Sequence, residues 1–213
     1  AYSYIVEQIA FGPRVPNTEA HRHCSDYLIA GLKRFGAAVQ VQEAILTAYN
    51  GDRLNARNII GSYNPDNPRR ILLFAHWDSR PWSDNDPDPS KHQQAVDGAN
   101  DGASGVGVLL EMARQFGLQH PNVGVDIAFF DAEDYGAPAN FKGNAEDSWC
   151  LGTQYWCKNP HVKGYRAKYG ILLDMVGAPG ATFYKEQISM YYAAHVVNKV
   201  WSAAEKLGFG QYF

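Results

Sequence analysis

The sequence predicts an α/β fold, a three-layer sandwich in which helices flank a central mixed, mostly parallel β-sheet. Short apolar runs alternate along the chain with longer segments of helical periodicity, as strands and helices do in such folds. Residues 71–75 are apolar throughout, and 125–130 are apolar except for Asp126. Runs of this kind are typical of strands buried on both faces of a sheet. No internal repeat or low-complexity linker interrupts the 213 residues, so we expect one domain over residues 1–213.

Caps and periodicity predict the first elements. Asn17 or Thr18 can cap a helix that ends near Gly36, because apolar residues recur between them at helical spacing. Valine alternates with glutamine just after this helix, which indicates a half-exposed edge strand. A turn rich in Asn and Pro then separates two further strands. The strands expected in this half are residues 39–42, 58–61 and 71–75.

Two irregular stretches lie among the later elements. Residues 80–99 are polar and rich in Pro and Asp, and connections of this length usually carry function or are mobile. Residues 136–147 form the second stretch. Ser104 is expected to cap a helix with Val106 and Leu110 on its apolar face. The other expected elements are a strand at 125–130, a short helix at 152–158, a strand at 169–175 and a last helix around 197–207.

Acidic residues and a histidine follow three of the predicted strands, at the point where each strand ends. Asp131, Glu133 and Asp134 follow one strand, and His76 and Asp174 mark the ends of two others. In open α/β sheets the ligand crevice lies just beyond the carboxyl ends of the strands. Clustered carboxylates repel one another unless a cation lies among them, and a metal ion is the usual one. The sequence therefore predicts a metal site at this sheet edge.

Several of these residues also have a purely structural interpretation. Glu133 and Asp134 can divide proton transfer and metal binding between them, or can form a solvated acidic turn, and Asp131 is expected to support that turn. His76 can be a site residue oriented by Asp78, or a core histidine held by that carboxylate. The glycine-rich segment 98–105 carries one more candidate ligand, Asp101, which can also be a structural cap.

Aromatic residues and cysteines add weaker predictions. Trp77, Trp82 and Trp149 flank the predicted site and can wall a small apolar pocket for substrate, although each alone is a packing candidate. We expect Cys24 to be a buried thiol. The sequence leaves open whether the other two cysteines pair in an oxidising compartment. The histidines without ligand-like spacing are His21, His23, His92, His120, His161 and His195.

Composition limits the classes of partner that the protein can be expected to bind. The formal net charge of −3 and the pI of 6.2 give no basic surface, so we expect no nucleic-acid partner. No apolar stretch approaches the roughly 20 residues of a membrane span. Oligomeric state and cellular compartment are not encoded in these features.

An ordered set of motifs resembles the glutaminyl cyclases of the bacterial type, which share a fold with the zinc aminopeptidases. The resemblance covers nearly the whole chain and implies the zinc exopeptidase-like sandwich. The matching motifs are Phe11-Gly12-Pro13-Arg14-Val15-Pro16, His76-x-Asp78-Ser79, Gly98-Ala99-x-Asp101-x-Ala103, Phe129-Phe130-Asp131-x-Glu133-Asp134, Asp147-Ser148 and Leu172-Leu173-Asp174-x-x-Gly177-Ala178.

The resemblance assigns roles residue by residue. It implies that Asp101 and Asp134 are zinc ligands, although the family more often has Glu at the second position. Glu133 would be the general base and acid, and Asp174 would join the proton-handling network. His76 and Asp174 would bind a second metal only in a two-zinc aminopeptidase, so the cofactor is one Zn²⁺ in a cyclase and two in an aminopeptidase.

The last zinc ligand of the family, a histidine, comes from a segment near the C-terminus. No histidine follows His195 here, so we expect the sequence to lack the C-terminal portion of the domain. The expected activity is cyclisation of N-terminal glutamine in peptides to pyroglutamate with release of ammonia. The alternatives are a two-zinc aminopeptidase that hydrolyses N-terminal residues and a non-catalytic binding module. The family's habit indicates a periplasmic, cell-envelope or secreted location.

Overall fold

A computed structural model describes residues 1–138, 140–143, 145 and 147–213. The chain divides into two compact units, Ala1–Met175 and Val176–Phe213. The first unit contains all five strands that the structure describes and every candidate site residue. The expectation of a single domain over residues 1–213 stays a prediction.

The larger unit is built on a five-stranded sheet in the order β1-β2-β4-β3-β5. Strand β4 pairs in parallel with β3, β3 pairs in parallel with β5, and β2 is antiparallel to both β1 and β4. Four of the five strands therefore run in one direction, and the carboxyl ends of β3, β4 and β5 meet at one sheet edge. The strands are β1 (Ala38–Thr47), β2 (Arg53–Tyr63), β3 (Arg70–His76), β4 (Gly124–Phe130) and β5 (Gly170–Leu172).

Helices cover both faces of this sheet. On one face, Leu28, Leu109 and Ile127 belong to a core cluster shared by helices and strands. On the other face, Trp156 packs with Phe130 and with apolar residues of three strands. Strand β4 is buried along its whole length, and the predicted three-layer sandwich is confirmed. The helices of this unit are α1 (Tyr2–Ile9), α2 (Glu19–Arg34), α3 (Ala103–Leu118) and α4 (Leu151–Lys158).

The N-cap predicted from the sequence is confirmed for α2 but not for α3. Thr18 caps α2, since its side chain accepts a hydrogen bond from the N–H of His21 at 3.2 Å. The prediction that Ser104 caps α3 is wrong. The N-cap is Gly102, whose φ of +87° suits glycine, and Ser104 lies inside the first turn, donating to the carbonyl of Asn100 at 2.5 Å.

The remaining elements match the predicted order with shifted boundaries. Strand β1 is the expected half-exposed edge strand and continues to Thr47, whereas β5 is shorter than predicted. Residues 80–99 are irregular apart from a 3₁₀ turn at Pro89–Lys91. The described part of 136–147 is also irregular, and Ala139, Asn144 and Glu146 within it lie outside the described residues.

The smaller unit consists of helix α5 (Gln187–Lys206) and a 3₁₀ turn at Gly210–Tyr212. A kink at Ala193, with φ of −144° and ψ of 36°, interrupts α5. Within the described ranges, no helix has the length and apolar character needed to cross a membrane. A cleft of about 550 Å³ lies in this unit, and none of the candidate site residues lines it.

Candidate metal and catalytic site

The parallel strands bring three candidate ligands together at the sheet edge. His76 is the last residue of β3, Asp174 follows β5, and Asp101 lies in the loop that leads into α3. The Nε2 atom of His76 lies 2.8 Å from Oδ1 of Asp101 and 3.6 Å from Oδ1 of Asp174. Ligand atoms of these three residues lie within 4.8 Å of one another, an arrangement that can hold a metal ion.

His76 is the centre of this cluster and is only 3% exposed. Its Nδ1 atom lies 3.4 Å from Oδ1 of Asp78 and 4.0 Å from Oε2 of Glu133. Carboxylates thus approach both ring nitrogens, but neither nitrogen makes a well-aligned hydrogen bond in the described structure. Burial alone would lower the pKa of His76, but the carboxylates, Asp101 first among them, raise it well above its usual value. A buried imidazole among carboxylates is a donor set that fits zinc.

A strained turn at the end of β4 presents the next two acids. Ala132 has a φ of +51°, in the left-handed region, although it is not glycine. The carboxylate of Asp131 stabilises this turn by accepting hydrogen bonds from the N–H of Arg57 at 2.6 Å and of Ala132 at 2.8 Å. The prediction that Asp131 supports the turn is confirmed.

The start of helix α4 fixes the same turn from the other side. The N–H groups of residues 150, 151 and 152 donate to the carbonyls of residues 133, 132 and 131, at 3.0, 3.0 and 3.1 Å. These are N–H groups that a helix leaves without an internal partner. A Cβ on Gly152 would come within 2.2 Å of the carbonyl oxygen of Asp131, so only glycine permits this approach.

Glu133 is placed to exchange protons at the edge of the cluster. Its N–H donates to Oδ1 of Asp78 at 3.0 Å, and its carboxylate accepts from Sγ of Cys150 at 3.2 Å. Burial raises the pKa of Glu133, Asp78 and Asp174 add to the rise, and the charge of His76 opposes it. A carboxylate with a raised pKa is a better general base near neutral pH.

Asp134 lies beside Glu133 but outside the three-residue cluster. Its N–H donates to Oδ2 of Asp78 at 3.0 Å, and its Oδ1 lies 3.4 Å from Nη1 of Arg80. Burial raises the pKa of Asp134 to about 8, with further contributions from Asp78, Asp101 and Glu133. The residue is 7% exposed, and Arg80 is a cation beside one of its oxygens. Three other acids raise its pKa, so a further cation near this carboxylate would be stabilised.

The three tryptophans have different environments. Trp77 is fully buried in the core, and its Nε1 donates to the carbonyl of Arg57 at 3.1 Å. A Trp77 in the core cannot contact substrate as predicted. Its side chain points away from the site because the residue after His76 lies on the opposite face of the strand. Trp82 is half-buried, Trp149 is 38% exposed, and both pack on Arg80.

Sequence reasoning missed two buried residues that support the site. Arg14 donates to the carbonyls of Trp77, Asp97 and Gly98 at 3.0, 2.6 and 2.7 Å, and so fixes the loop before Asp101. His21 contacts both oxygens of Asp131 at 2.9 Å and stacks on Trp77. Neither has a local spacing signal. Arg14 lies in a matched family motif, which was the one available indication.

A small cavity adjoins the catalytic candidates. It has a volume of about 100 Å³, and Glu133, Asp174 and Cys150 contribute to its lining together with aromatic residues of β3 and β4. This is well below the roughly 300 Å³ of ordinary ligand pockets, so only a small group fits inside. Cys150 is a free thiol, as are Cys24 and Cys157, and Cys24 is buried as predicted.

This geometry belongs to a known class of protein. The model of Peptidase family M28 matches residues 58–212, which is most of the chain, and the chain belongs to this family. Among solved structures, a Zn-dependent exopeptidase from Parabacteroides distasonis is 65% identical with a TM-score of 0.98. A glutaminyl cyclase from Tannerella forsythia is 61% identical with a TM-score of 0.97. Each match covers 100% of this chain and 73% of the other chain.

A curated relative is more distant. The glutaminyl-peptide cyclotransferase of Drosophila melanogaster is 28% identical over 181 residues, which is 81% of this chain and 47% of that protein. The chain therefore spans about half the length of this relative.

Proposed function

We propose that the protein containing this chain is a zinc-dependent glutaminyl-peptide cyclotransferase. It would convert N-terminal glutamine of peptides to pyroglutamate and release ammonia. The observation that carries the proposal is the pair of carboxylates, Glu133 and Asp174, on either side of buried His76. They occur in a chain that is 61% identical over its full length to a glutaminyl cyclase.

We assign zinc binding to Asp101 and Asp134, with one ion in the cyclase. The cluster of His76, Asp101 and Asp174 supports a cation beside Asp101, and the acids that raise the pKa of Asp134 support one beside that residue. When bound, zinc supplies a Lewis acid that polarises the side-chain amide carbonyl of the substrate.

Glu133 moves the protons of the reaction. The α-amine nitrogen of the substrate bonds to the side-chain amide carbon, and the bond from that carbon to the amide nitrogen breaks. Glu133 takes a proton from the attacking nitrogen and returns it to the departing one, which leaves as ammonia. Asp174 stabilises the positive charge on the attacking amine, because its carboxylate faces the same cavity.

The experiment uses the full-length protein and its Glu133→Gln variant. The variant keeps the size and shape of the side chain but cannot accept a proton, so turnover of a Gln-initiated peptide should fall by about 10²-fold or more. Ammonia release is the readout. Turnover within about threefold of the parent would rule out this role for Glu133.

A two-zinc aminopeptidase is the second candidate. The cluster of His76, Asp101 and Asp174 favours it, because these residues can hold a metal of their own. Two zinc ions per chain, with hydrolysis of a Leu-initiated amide and no cyclisation, would establish the aminopeptidase. One zinc ion with cyclisation would establish the cyclase, and a full-length protein that binds no zinc would indicate a binding module.

The substrate class proposed here is the N-terminus of peptides. A periplasmic, cell-envelope or secreted location remains a proposal drawn from the family resemblance.

A further inference from the structure

Arg80 lies four residues beyond His76 and links the two irregular stretches beside the site. It is 9% exposed. Its Nε and Nη2 atoms donate to the two oxygens of Asp84, each at 2.7 Å. Such a two-point contact fixes both the position and the plane of a guanidinium group. The remaining nitrogen, Nη1, is therefore held in a defined direction.

That nitrogen points at the segment carrying Asp134. Nη1 of Arg80 donates to the carbonyl of Asp134 at 3.2 Å, to its Oδ1 at 3.4 Å and to the carbonyl of Gly136 at 3.4 Å. Contacting both the backbone and the side chain of Asp134 restricts the rotation of its carboxylate. One carboxylate oxygen faces Arg80, which leaves the other for a cation.

Two indole rings hold the guanidinium in turn. The central carbon of the Arg80 guanidinium, Cζ, lies 4.8 Å from the ring centroid of Trp149 and 5.4 Å from that of Trp82. Both distances are within the range of cation–π attraction. The ring of Trp149 also covers Gly136, where an added Cβ would come within 2.0 Å of the indole. This close fit places Trp149 on the same segment that Arg80 binds.

We propose that Arg80 is a positioning residue, which orients the carboxylate of Asp134 for metal binding, and that Trp82 and Trp149 act by holding Arg80. The inference rests on the proposed role of Asp134 as a zinc ligand. It gives the two tryptophans a role that needs no contact with substrate. Hydrogen-bond partners of metal ligands commonly set the geometry of a site in this way.

The test measures zinc affinity of the full-length protein by competition with a chromophoric chelator, together with kcat and KM. Arg80→Met should weaken zinc binding by about 10- to 100-fold, the usual effect of losing a partner of a metal ligand. The fall in activity should appear mainly in kcat. Arg80→Lys should recover part of the affinity, because it keeps the charge but loses the two-point contact.

Arg70 offers a matched control. It is also 9% exposed and makes a two-point contact with an aspartate, Asp126, which lies toward the start of β4 and away from the site. Arg70→Met should lower stability and leave zinc affinity within about twofold of the parent. Trp149→Leu keeps the arginine and should weaken zinc binding in the same direction as Arg80→Met, whereas Trp149→Phe should restore it.

The proposal is overturned if Arg80→Met binds zinc as tightly as the parent, if Arg70→Met loses as much affinity, or if the parent binds no zinc. If Arg80→Met does not fold, the two Trp149 variants decide. A zinc affinity of Trp149→Leu equal to that of the parent would overturn the proposal. A lower zinc affinity of Trp149→Leu that Trp149→Phe restores would support it. If the parent binds zinc but does not cyclise glutamine, the proposed function fails, and the zinc affinities still test Arg80.

Discussion

The close packing of Gly105 provides a sharp test of how the fold positions Asp174. Gly105 lies in α3, and an added Cβ would come within 2.1 Å of the carbonyl oxygen of Leu173 and within 3.0 Å of Cβ of Ala75. Ordinary C···O contacts begin at about 3.3 Å, so Gly105→Ala requires a displacement of about 1 Å. The carbonyl that must move belongs to the peptide bond that precedes Asp174.

Two opposing effects set how much Gly105→Ala changes the free energy of unfolding. Replacing glycine by alanine inside a helix stabilises it by about 1 kcal/mol. Forcing an extra methyl into a packed core costs about 1–3 kcal/mol. We therefore expect Gly105→Ala to lower the free energy of unfolding by up to about 2 kcal/mol. A displacement of about 1 Å at Asp174 should also lower turnover by about 10²-fold.

Urea unfolding and ammonia release measure the two effects. The matched control is Gly31→Ala in α2, also a helix of 16 residues, where the added Cβ meets only Cδ2 of Leu110 at an ordinary 3.4 Å. This control should be as stable as the parent or more so, with unchanged turnover. The reasoning is refuted if Gly105→Ala is as stable and as active as Gly31→Ala.

Three further predictions test the metal, the buried charges and the thiols. Zinc at 100 times its Kd should raise the free energy of unfolding by about 2.7 kcal/mol, measured with and without a chelator; equal unfolding curves would contradict this. Hydrogen bonds and charges, those of Arg70 first among them, outweigh burial and lower the pKa of Asp126. The ionised Asp126 therefore stabilises the folded protein above its unfolded pKa of about 3.9, and this stabilisation is lost as the pH falls through the lower pKa of the folded state. Asp126→Asn should cost about 3–5 kcal/mol at pH 7 and flatten the acid dependence in urea unfolding; an unchanged acid dependence would count against it. Thiol labelling of the native protein should be fast only at exposed Cys157, since Cys24 is buried and burial raises the pKa of Cys150 to about 12; fast reaction of a second thiol would refute the assignment.

The sequence predicted the sheet and its functional edge because both depend on local pattern. Strand β4 is apolar apart from Asp126, which indicates burial on both faces, and the acid-rich segment after it has to lie at the carboxyl edge. The same argument placed His76 and Asp174, which the structure brings within 3.6 Å of each other. Parallel pairing of β3 with β4 and β5 turns three separate strand ends into one site.

The predictions that failed depend on contacts between distant segments. Ser104 looks like a helix cap locally, but Gly102 takes that position. Arg14 binds the carbonyls just before this turn, and the chain at Asp78 packs closely against Gly102. The Cβ of any other residue at 102 would lie 2.7 Å from the carbonyl oxygen of Asp78. His21 is 110 residues from Asp131 in sequence, and no spacing rule relates them.

The acids of the site are best distinguished by what their carboxylates contact. Asp78 and Asp131 are fully buried and accept backbone N–H groups, two each: Asp78 from residues 133 and 134, Asp131 from residues 57 and 132. Carboxylates used in this way join segments of the chain, and their oxygens already have backbone N–H donors without a metal. Glu133 instead contacts the thiol of Cys150, and the carboxylate of Asp134 contacts Arg80. Neighbouring acids in one short segment are thus divided by the backbone into those that build the turn and those left for chemistry, and this division follows from hydrogen bonds that residue type alone does not encode.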